Sequence, residues 1–433
     1  MIPRQGRFAI ALMIAILLTA ASAGAITLTL AGPDPDSAAS GTDLTSTIWA
    51  SGFGGAPEMI ATVGALAPGG GTFTDMGVPS ISPEGMVIFG AEVTGPDGIA
   101  RWEIFRGDPT APIGERVTRA MEKNAVSSGC IPNLKLDPYP VAGSNDAIAF
   151  IAPEAGGSDA LFRYAEGELT CAIRTGERTA AGHVLKMMHF GSATMAPSGE
   201  VAFIGSIYDR SSGSAQRSSR LAMMLAPVRG PIREIAVADS RGSTGSRNLP
   251  AFGRPAVVSS SRGPIVAYTA TNSRRSRARG YGLYVFRNGK TALMLASGDQ
   301  TPVGRVSFLS QGRPALSGNG SIAVCGASAG HRAIFSIRDG HPVVVVAPGH
   351  MTGAGSQIVT FGDPVVSATG RIMVGITDND DRNLLYALAP GNVMRISTPP
   401  VPEGELVGGL GPQIFAGTLV INEAGAFAFI GGK

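Results

Sequence analysis

The chain has 433 residues, of which 44% are hydrophobic and 15% charged, with 60 glycines and 30 prolines. A composition this apolar excludes an intrinsically disordered chain, and a net charge of +3 over this length excludes a partner selected by bulk charge alone. Glycine and proline at this density point to many turns between short strands.

Residues 1–31 read as an export signal. Arg4 and Arg7 give a positive start, residues 8–19 run apolar, and Ala21-Ser22-Ala23 is a small-residue cleavage site. The uncharged stretch continues to Leu30. An uncleaved anchor is therefore the alternative, although Ala, Gly, Ser and Thr in the second half weaken a spanning helix. Either way the positive end stays inside, so the body is expected outside the cytoplasm: periplasmic, on the cell surface or secreted. Membrane contact is expected only through an uncleaved N-terminal segment. Residues 32–43, with Pro33 and Pro35, read as a linker.

Residues 44–433 carry a degenerate tandem repeat, the strongest signal in the chain. Each copy reads aromatic–Gly–x–Pro, a short apolar run, a small polar residue, two variable residues, Gly, and an alternating strand ending in an aromatic. Before the first copy, residues 47–50, a Gly52–Gly55 turn and residues 59–63 form a strand pair of their own. Gly77-Val78-Pro79 then leads to Ser82, Gly85 and Ile88-Phe89. A degenerate copy spans residues 140–150, with Asp146 in place of the glycine. Phe190-Gly191 leads to Ala196, Gly199 and Phe203, and Phe252-Gly253-Arg254-Pro255 to Ser260, Gly263 and Tyr268. Gln311-Gly312-Arg313-Pro314 leads to Ser317, Gly320 and Val324, and Phe361-Gly362-Asp363-Pro364 to Ser367, Gly370 and Val374. Phe415 leads to Asn422, Gly425 and Phe429.

The pattern is that of a hairpin. Ser or Asn opens a turn by bonding the backbone, Gly takes the left-handed conformation that closes it, and apolar residues alternate on the returning strand. Two further strands follow in each unit, as in 283–287 and 291–296 around Asn288-Gly289, or 333–337 and 343–347 around Asp339-Gly340. Four antiparallel strands per repeat of roughly 50–60 residues is the pattern of a propeller blade. The last copy ends after two strands, and the N-terminal pair supplies the other two. The expected fold is thus all-β: a seven-bladed β-propeller whose last blade is closed by the N-terminal strands. An open array or a pair of β-sandwiches is the alternative.

These residues resemble a family of exported bacterial proteins built from tandem NxxGxxAF repeats. Residues 422–429 match the signature in full, and 196–203 match with Ala in place of Asn. The resemblance implies a propeller-like architecture and a secreted or surface location, and it implies no reaction. Family members often end in a surface anchor. None is visible before Lys433, so anchoring is expected from the N-terminus.

Of the three cysteines, Cys130 and Cys171 lie in neighbouring segments and are the candidate disulfide, with three unpaired thiols as the alternative. Cys325 reads as a buried free thiol within an apolar strand. No C-x-x-C spacing occurs and the five histidines are scattered, so no metal site is expected.

Two arginine-bearing features are candidate ligand sites. Between Gly205 and Gly280 there are 13 arginines against three acidic residues. Arg210, Arg217 and Arg220 fall in one loop, and Arg274, Arg275, Arg277 and Arg279 in the next. Clustered guanidinium groups suit an anionic glycan or lipid head groups through forked hydrogen bonds. Nucleic acid is disfavoured because no aromatics interleave. The alternative is a solvated loop in a chain where Arg outnumbers Lys 30 to 5.

The second feature is the variable residue of the aromatic–Gly–x–Pro element: Arg254, Arg313 and Asp363 in three consecutive units. If that element begins the innermost strand, the three line the channel mouth and orient a small polar ligand. An inter-blade ion pair is the alternative. Asp378-Asn379-Asp380-Asp381 reads as an acidic turn lacking a calcium-loop pattern.

No nucleophile elbow, H-E-x-x-H, P-loop or dinucleotide fingerprint occurs, so neither a cofactor nor a catalytic residue is assigned. The reading is an exported, monomeric, non-catalytic binding module for an anionic ligand. An extracellular polysaccharide hydrolase or lyase, or a structural envelope repeat, are the alternatives.

Overall fold

The computed structural model describes residues 46–432 except 52–57, 122–129, 209–218, 239–251, 273–279, 396–412 and several shorter gaps. The signal and linker segments and the Gly52–Gly55 turn lie outside the described residues, as do Arg210, Arg217, Arg274, Arg275, Arg277 and Arg279. The compact unit is Leu44–Lys433. Among the described residues it is all-β, with a single 3-10 turn at Ile113–Glu115. No helix among them is long and apolar enough to cross a membrane.

Seven antiparallel sheets make up a seven-bladed β-propeller. We number the blades by the strand that follows each repeat turn: Val87–Thr94 in blade 1, Ile148–Pro153 in blade 2, Val201–Tyr208 in blade 3, Ile265–Asn272 in blade 4, Ile322–Ser328 in blade 5, Ile372–Asp378 in blade 6 and Phe427–Gly432 in blade 7. The short innermost strands touch in cyclic order: Ser80–Ile81, Val141–Ala142, Thr194–Met195, Ala256–Val258, Ala315–Leu316, Val365–Val366, Val420–Ile421 and back to Ser80–Ile81. The ring is closed.

Closure uses both ends of the domain. Ser46–Ser51 pairs antiparallel with Phe427–Gly432, placing Trp49 opposite Phe429, and Glu58–Thr62 adds the outer strand. This pairing covers the flank of Phe427–Gly432 and leaves Glu58–Thr62 as the outermost strand of blade 7.

The repeat turns form as their residues dictate. Gly85, Gly199, Gly263, Gly320 and Gly370 all have positive φ, the region that a Cβ disfavours. In the degenerate copy Asn145 and Asp146 carry φ of 54° and 61°, so the aspartate takes over the left-handed role. Asn288 and Gly289 close their hairpin with φ of 53° and 75°, the mirror-image turn that suits twisted strands.

Apolar faces pack blade against blade. Val201, Phe203 and Met224 of blade 3 share a core with Ile151 and Leu161 of blade 2, and Cys325 and Ile334 of blade 5 share one with Val374 and Ile376 of blade 6. Phe73, Phe89 and Phe105 form a tight aromatic set in blade 1, the last two stacked at 5.7 Å.

The aromatic–Gly–x–Pro element does not begin the innermost strand, as the repeat unit suggests. In blade 6 it separates Ile358–Phe361 from Val365–Val366, and both halves pair with Ile372–Asp378. Blades 1, 3 and 5 are interrupted in the same way. In blades 1, 5 and 6 the break holds a proline (Pro79, Pro314, Pro364), which donates no ladder hydrogen bond, so the strand breaks around it; the blade 3 break, residues 189–193, has none. Arg254, Arg313 and Asp363 are therefore carried midway along the inner wall of the ring, below its mouth.

Candidate ligand site in the central channel

The innermost chain of the blades, at or just before its short inner strand, carries titratable side chains. Taken in blade order, the innermost chain contributes Asp75, Asp137, His189, Arg254, Arg313 and Asp363, one from each of six consecutive blades.

Asp363 of blade 6 leans back on blade 5. A Cβ built on Gly312 would lie 2.8 Å from its Oδ2, so glycine there is what admits the carboxylate. The Cys325 thiol donates to the Gly362 carbonyl at 3.5 Å and lies within hydrogen-bonding reach of Asp363. Burial raises the Asp363 carboxyl above the usual aspartate range, against the opposing pull of Cys325, Arg332, Arg254 and Arg313. Burial likewise holds the Cys325 thiol well above the ordinary thiol range, so it stays protonated. Arg332, at the start of the next strand, stacks its guanidinium 5.2 Å from the centre of the Phe361 ring.

Arg313 is enclosed by protein while its side chain keeps some contact with channel solvent. Its Nε has no hydrogen-bond partner. Burial, joined by repulsion from Arg254, lowers its pKa to about 10 despite attraction from Asp363. Arg254 itself is exposed. The structure thus gathers Arg254, Arg313 and Asp363 into one electrostatically coupled sector. Cys325 and Arg332, which the sequence reading left out of the site, belong to the same sector. Three guanidinium groups face one carboxylate, an excess that suits an anionic group from outside the chain.

The opposite wall is acidic. Asp137 accepts from the Tyr139 amide at 2.8 Å and is wedged against Gly77 and Gly90 of blade 1, where a Cβ on Gly90 would stand 2.7 Å from its Oδ1. Burial and the nearby Asp75 push its pKa up to about 6, against the Tyr139 hydrogen bond. The Asp75 carboxylate, bonded to the Met76 amide at 2.7 Å, is held above its ordinary value mainly by partial burial, with Glu92 adding repulsion. Between the two poles, burial keeps His189 below the ordinary histidine range, and its Nε2 is buried without a partner.

Outside the channel, Arg220 is the described arginine of the first basic loop, and it is engaged within its own blade. Its Nη2 lies 3.2 Å from His183 Nε2, whose Nδ1 is 2.9 Å from Glu234. The Thr179 hydroxyl completes this cluster by donating to Glu234 at 2.5 Å.

Cys130 and Cys171 are joined as a disulfide with a Cα–Cα separation of 6.2 Å. With Glu154 they form the one group of potential metal ligands among the described residues. Arg174 Nε bonds both Glu154 oxygens at 2.9 and 3.1 Å, which commits that carboxylate to an ion pair. Of the acidic turn, Asp378 is a buried strand residue, Asn379 Oδ1 accepts from the Gln357 amide at 2.9 Å, and Asp380 and Asp381 lie outside the described residues.

Ring and channel together define a closed seven-bladed propeller with a charge-polarised axis. The sequence matches a family described as a family of unknown function (DUF7453) over residues 36–226 and 234–384, and the chain belongs to that family. No curated protein matches the chain. Among solved structures it is similar to a puromycin-hydrolyzing peptidase of Mycobacterium tuberculosis, at 14% identity and a TM-score of 0.46, with 83% of this chain and 52% of that one covered. It is also similar to the β-propeller domain of the Trilobed protease from Pyrococcus furiosus, at 11% identity and a TM-score of 0.43, covering 75% of this chain and 85% of that one. An acylaminoacyl peptidase of Pyrococcus horikoshii is a third, at 10% identity and a TM-score of 0.44, covering 75% and 46%. The chain spans about half the length of the two peptidases it resembles, 46% and 52%. These likenesses concern fold and carry no activity to this chain.

Proposed function

We propose that this protein is an exported, non-catalytic binding module whose channel takes an anionic oxygen group, such as the carboxylate of an acidic glycan, between Arg254 and Arg313. The observation that carries the reading is the Arg313 guanidinium: enclosed, repelled by Arg254, and with Nε unpartnered. A buried cation in that state costs stability, which favours reading it as part of a site completed by an anion from outside the chain. Asp363 is coupled to the guanidinium groups through their charge and is largely buried, which disfavours a general-base role. The N-terminal export pattern and the Cys130–Cys171 disulfide support a location outside the cytoplasm.

Oligogalacturonate titrated calorimetrically at low and physiological salt tests this reading. Binding should weaken with salt, and Arg313→Ala should reduce affinity by about tenfold or more. Equal affinity of Arg313→Ala and the parent, or no binding at low salt, would reject the channel as the site. Phosphatidylglycerol vesicles run alongside: retention on vesicles with no response to the oligosaccharide would move the ligand to a lipid head group.

A further inference from the structure

The wall facing the arginines carries its own imbalance. Blades 2 and 5 stand on opposite sides of a seven-membered ring, so Asp137 and Arg313 occupy opposing walls. No cation is among the groups acting on Asp137: its neighbours are the Tyr139 amide and the Asp75 carboxylate, and it is packed on Gly77 and Gly90. Asp75, one blade earlier, faces a further carboxylate in Glu92. Arg313 in turn has more positive charge around it than Asp363 offsets. The chain therefore holds an under-neutralised negative wall and an under-neutralised positive wall across one passage. Direct pairing would quench both charges; the ring geometry keeps them apart.

We infer that the channel ligand is bipolar: an anionic group held by Arg254 and Arg313, and an ammonium or similar cation held by Asp137 with Asp75. The inference rests on the reading of the arginine sector as a binding site and adds the second pole. A ligand spanning both walls neutralises each buried charge in one step, and anions lacking the cation satisfy one wall alone. The spacing of the two ligand charges then becomes a specificity element, since a ligand too short or too long reaches a single pole.

The test is a molecular ruler. Straight-chain ω-amino carboxylates from glycine to 8-aminooctanoate, and matched alkanoates from acetate to octanoate, are titrated at pH 7.5 into the full chain. One ω-amino length should bind at least about tenfold tighter than its matched alkanoate. Asp137→Asn should erase that advantage while leaving the alkanoate affinity in place; Arg313→Ala should weaken both series. Asp75→Asn, at an exposed position, reports on the same pole should Asp137→Asn fail to fold, and it should shrink the advantage several-fold. Equal affinities in the two series, both lost in Arg313→Ala, would overturn the second pole and leave the arginine site standing. An advantage unchanged in both Asp137→Asn and Asp75→Asn would overturn the placement of the cation. Absence of binding in both series would overturn the arginine site and the second pole together.

Discussion

Asn422 of blade 7 donates its side-chain amide to the carbonyls of Ser82 and Pro83 in blade 1, at 2.8 and 3.0 Å, across 340 and 339 residues of chain. Its Oδ1 meanwhile accepts from the Ala426 amide at 2.9 Å, holding its own turn. One side chain thus forms a turn and fastens the last blade to the first. Serine at the equivalent turns cannot reach as far. The neighbouring turns use other ties, such as the Ser144 amide to the Pro197 carbonyl at 3.2 Å and the Ser198 amide to Ser259 Oγ at 3.0 Å.

Replacing Asn422 by Ala should therefore weaken closure more than a turn substitution elsewhere. Three hydrogen bonds are lost, although the Ser82 carbonyl keeps the Gly85 amide as a donor, at a cost of about 2–3 kcal/mol. Urea unfolding of Asn422→Ala should show the drop, and Asn422→Ser should recover only the part due to the turn. Equal stability of Asn422→Ala and the parent would show that closure rests on the Trp49–Phe429 strand pairing alone.

A second expectation concerns acid. The folded Asp137 pKa is raised to about 6, above the unfolded value of ~3.9. A carboxyl raised on folding binds its proton more tightly in the native state. The penalty is thus fully present above pH ~6 and is relieved as pH falls from ~6 towards ~4. With the solvent contact the side chain retains, the relief amounts to about 1–2 kcal/mol. Asp137→Asn should be more stable than the parent at pH 7.5 and should lack this gain on acidification. Parallel stability–pH curves for the two proteins would contradict the assignment.

How much of this was written in the chain depends on whether the cause is local. Gly85, Gly263 and Gly370 announce their turns because left-handed backbone demands glycine, and residues 47–63 announce closure because a half-blade was missing at the other end. The outer halves of the innermost strands are hidden. Val184–Met188 and Gly304–Leu309 are short, expose Lys186, Met187 and Ser307, and follow glycine-rich loops, so they read as connections. Asp137 and His189 gave no signal, because what perturbs them is supplied by blade geometry. Arg254, Arg313 and Asp363 were visible as a set because the repeat put them at one position; that Cys325 and Arg332 join them follows only from packing between blades 5 and 6.

Arg313 carries a stability prediction opposite in sign to its binding one. Arg313→Met keeps the aliphatic volume and removes an enclosed charge whose Nε is unpartnered and which Arg254 repels. Such replacements are commonly neutral or stabilising, here by about 1 kcal/mol. Thermal unfolding of Arg313→Met should show an unchanged or raised Tm together with lost oligogalacturonate binding. A marked fall in Tm would mean that the guanidinium works as a structural tie and would weaken the case for a ligand site.

The cysteines separate by chemistry. The bridge between Cys130 and Cys171 closes a loop of 41 residues, and opening a loop of that size costs about 4 kcal/mol in chain-entropy terms. Cys325 is buried, and its raised pKa keeps it as the unreactive thiol. An aromatic disulfide reagent should find no reactive thiol in the native oxidised protein and one after unfolding. After mild reduction the native protein should offer two thiols, Cys325 should still resist, and Tm should fall. Rapid labelling of Cys325 in the folded oxidised protein would show that the interface between blades 5 and 6 opens, and with it the wall that holds Asp363 against Gly312.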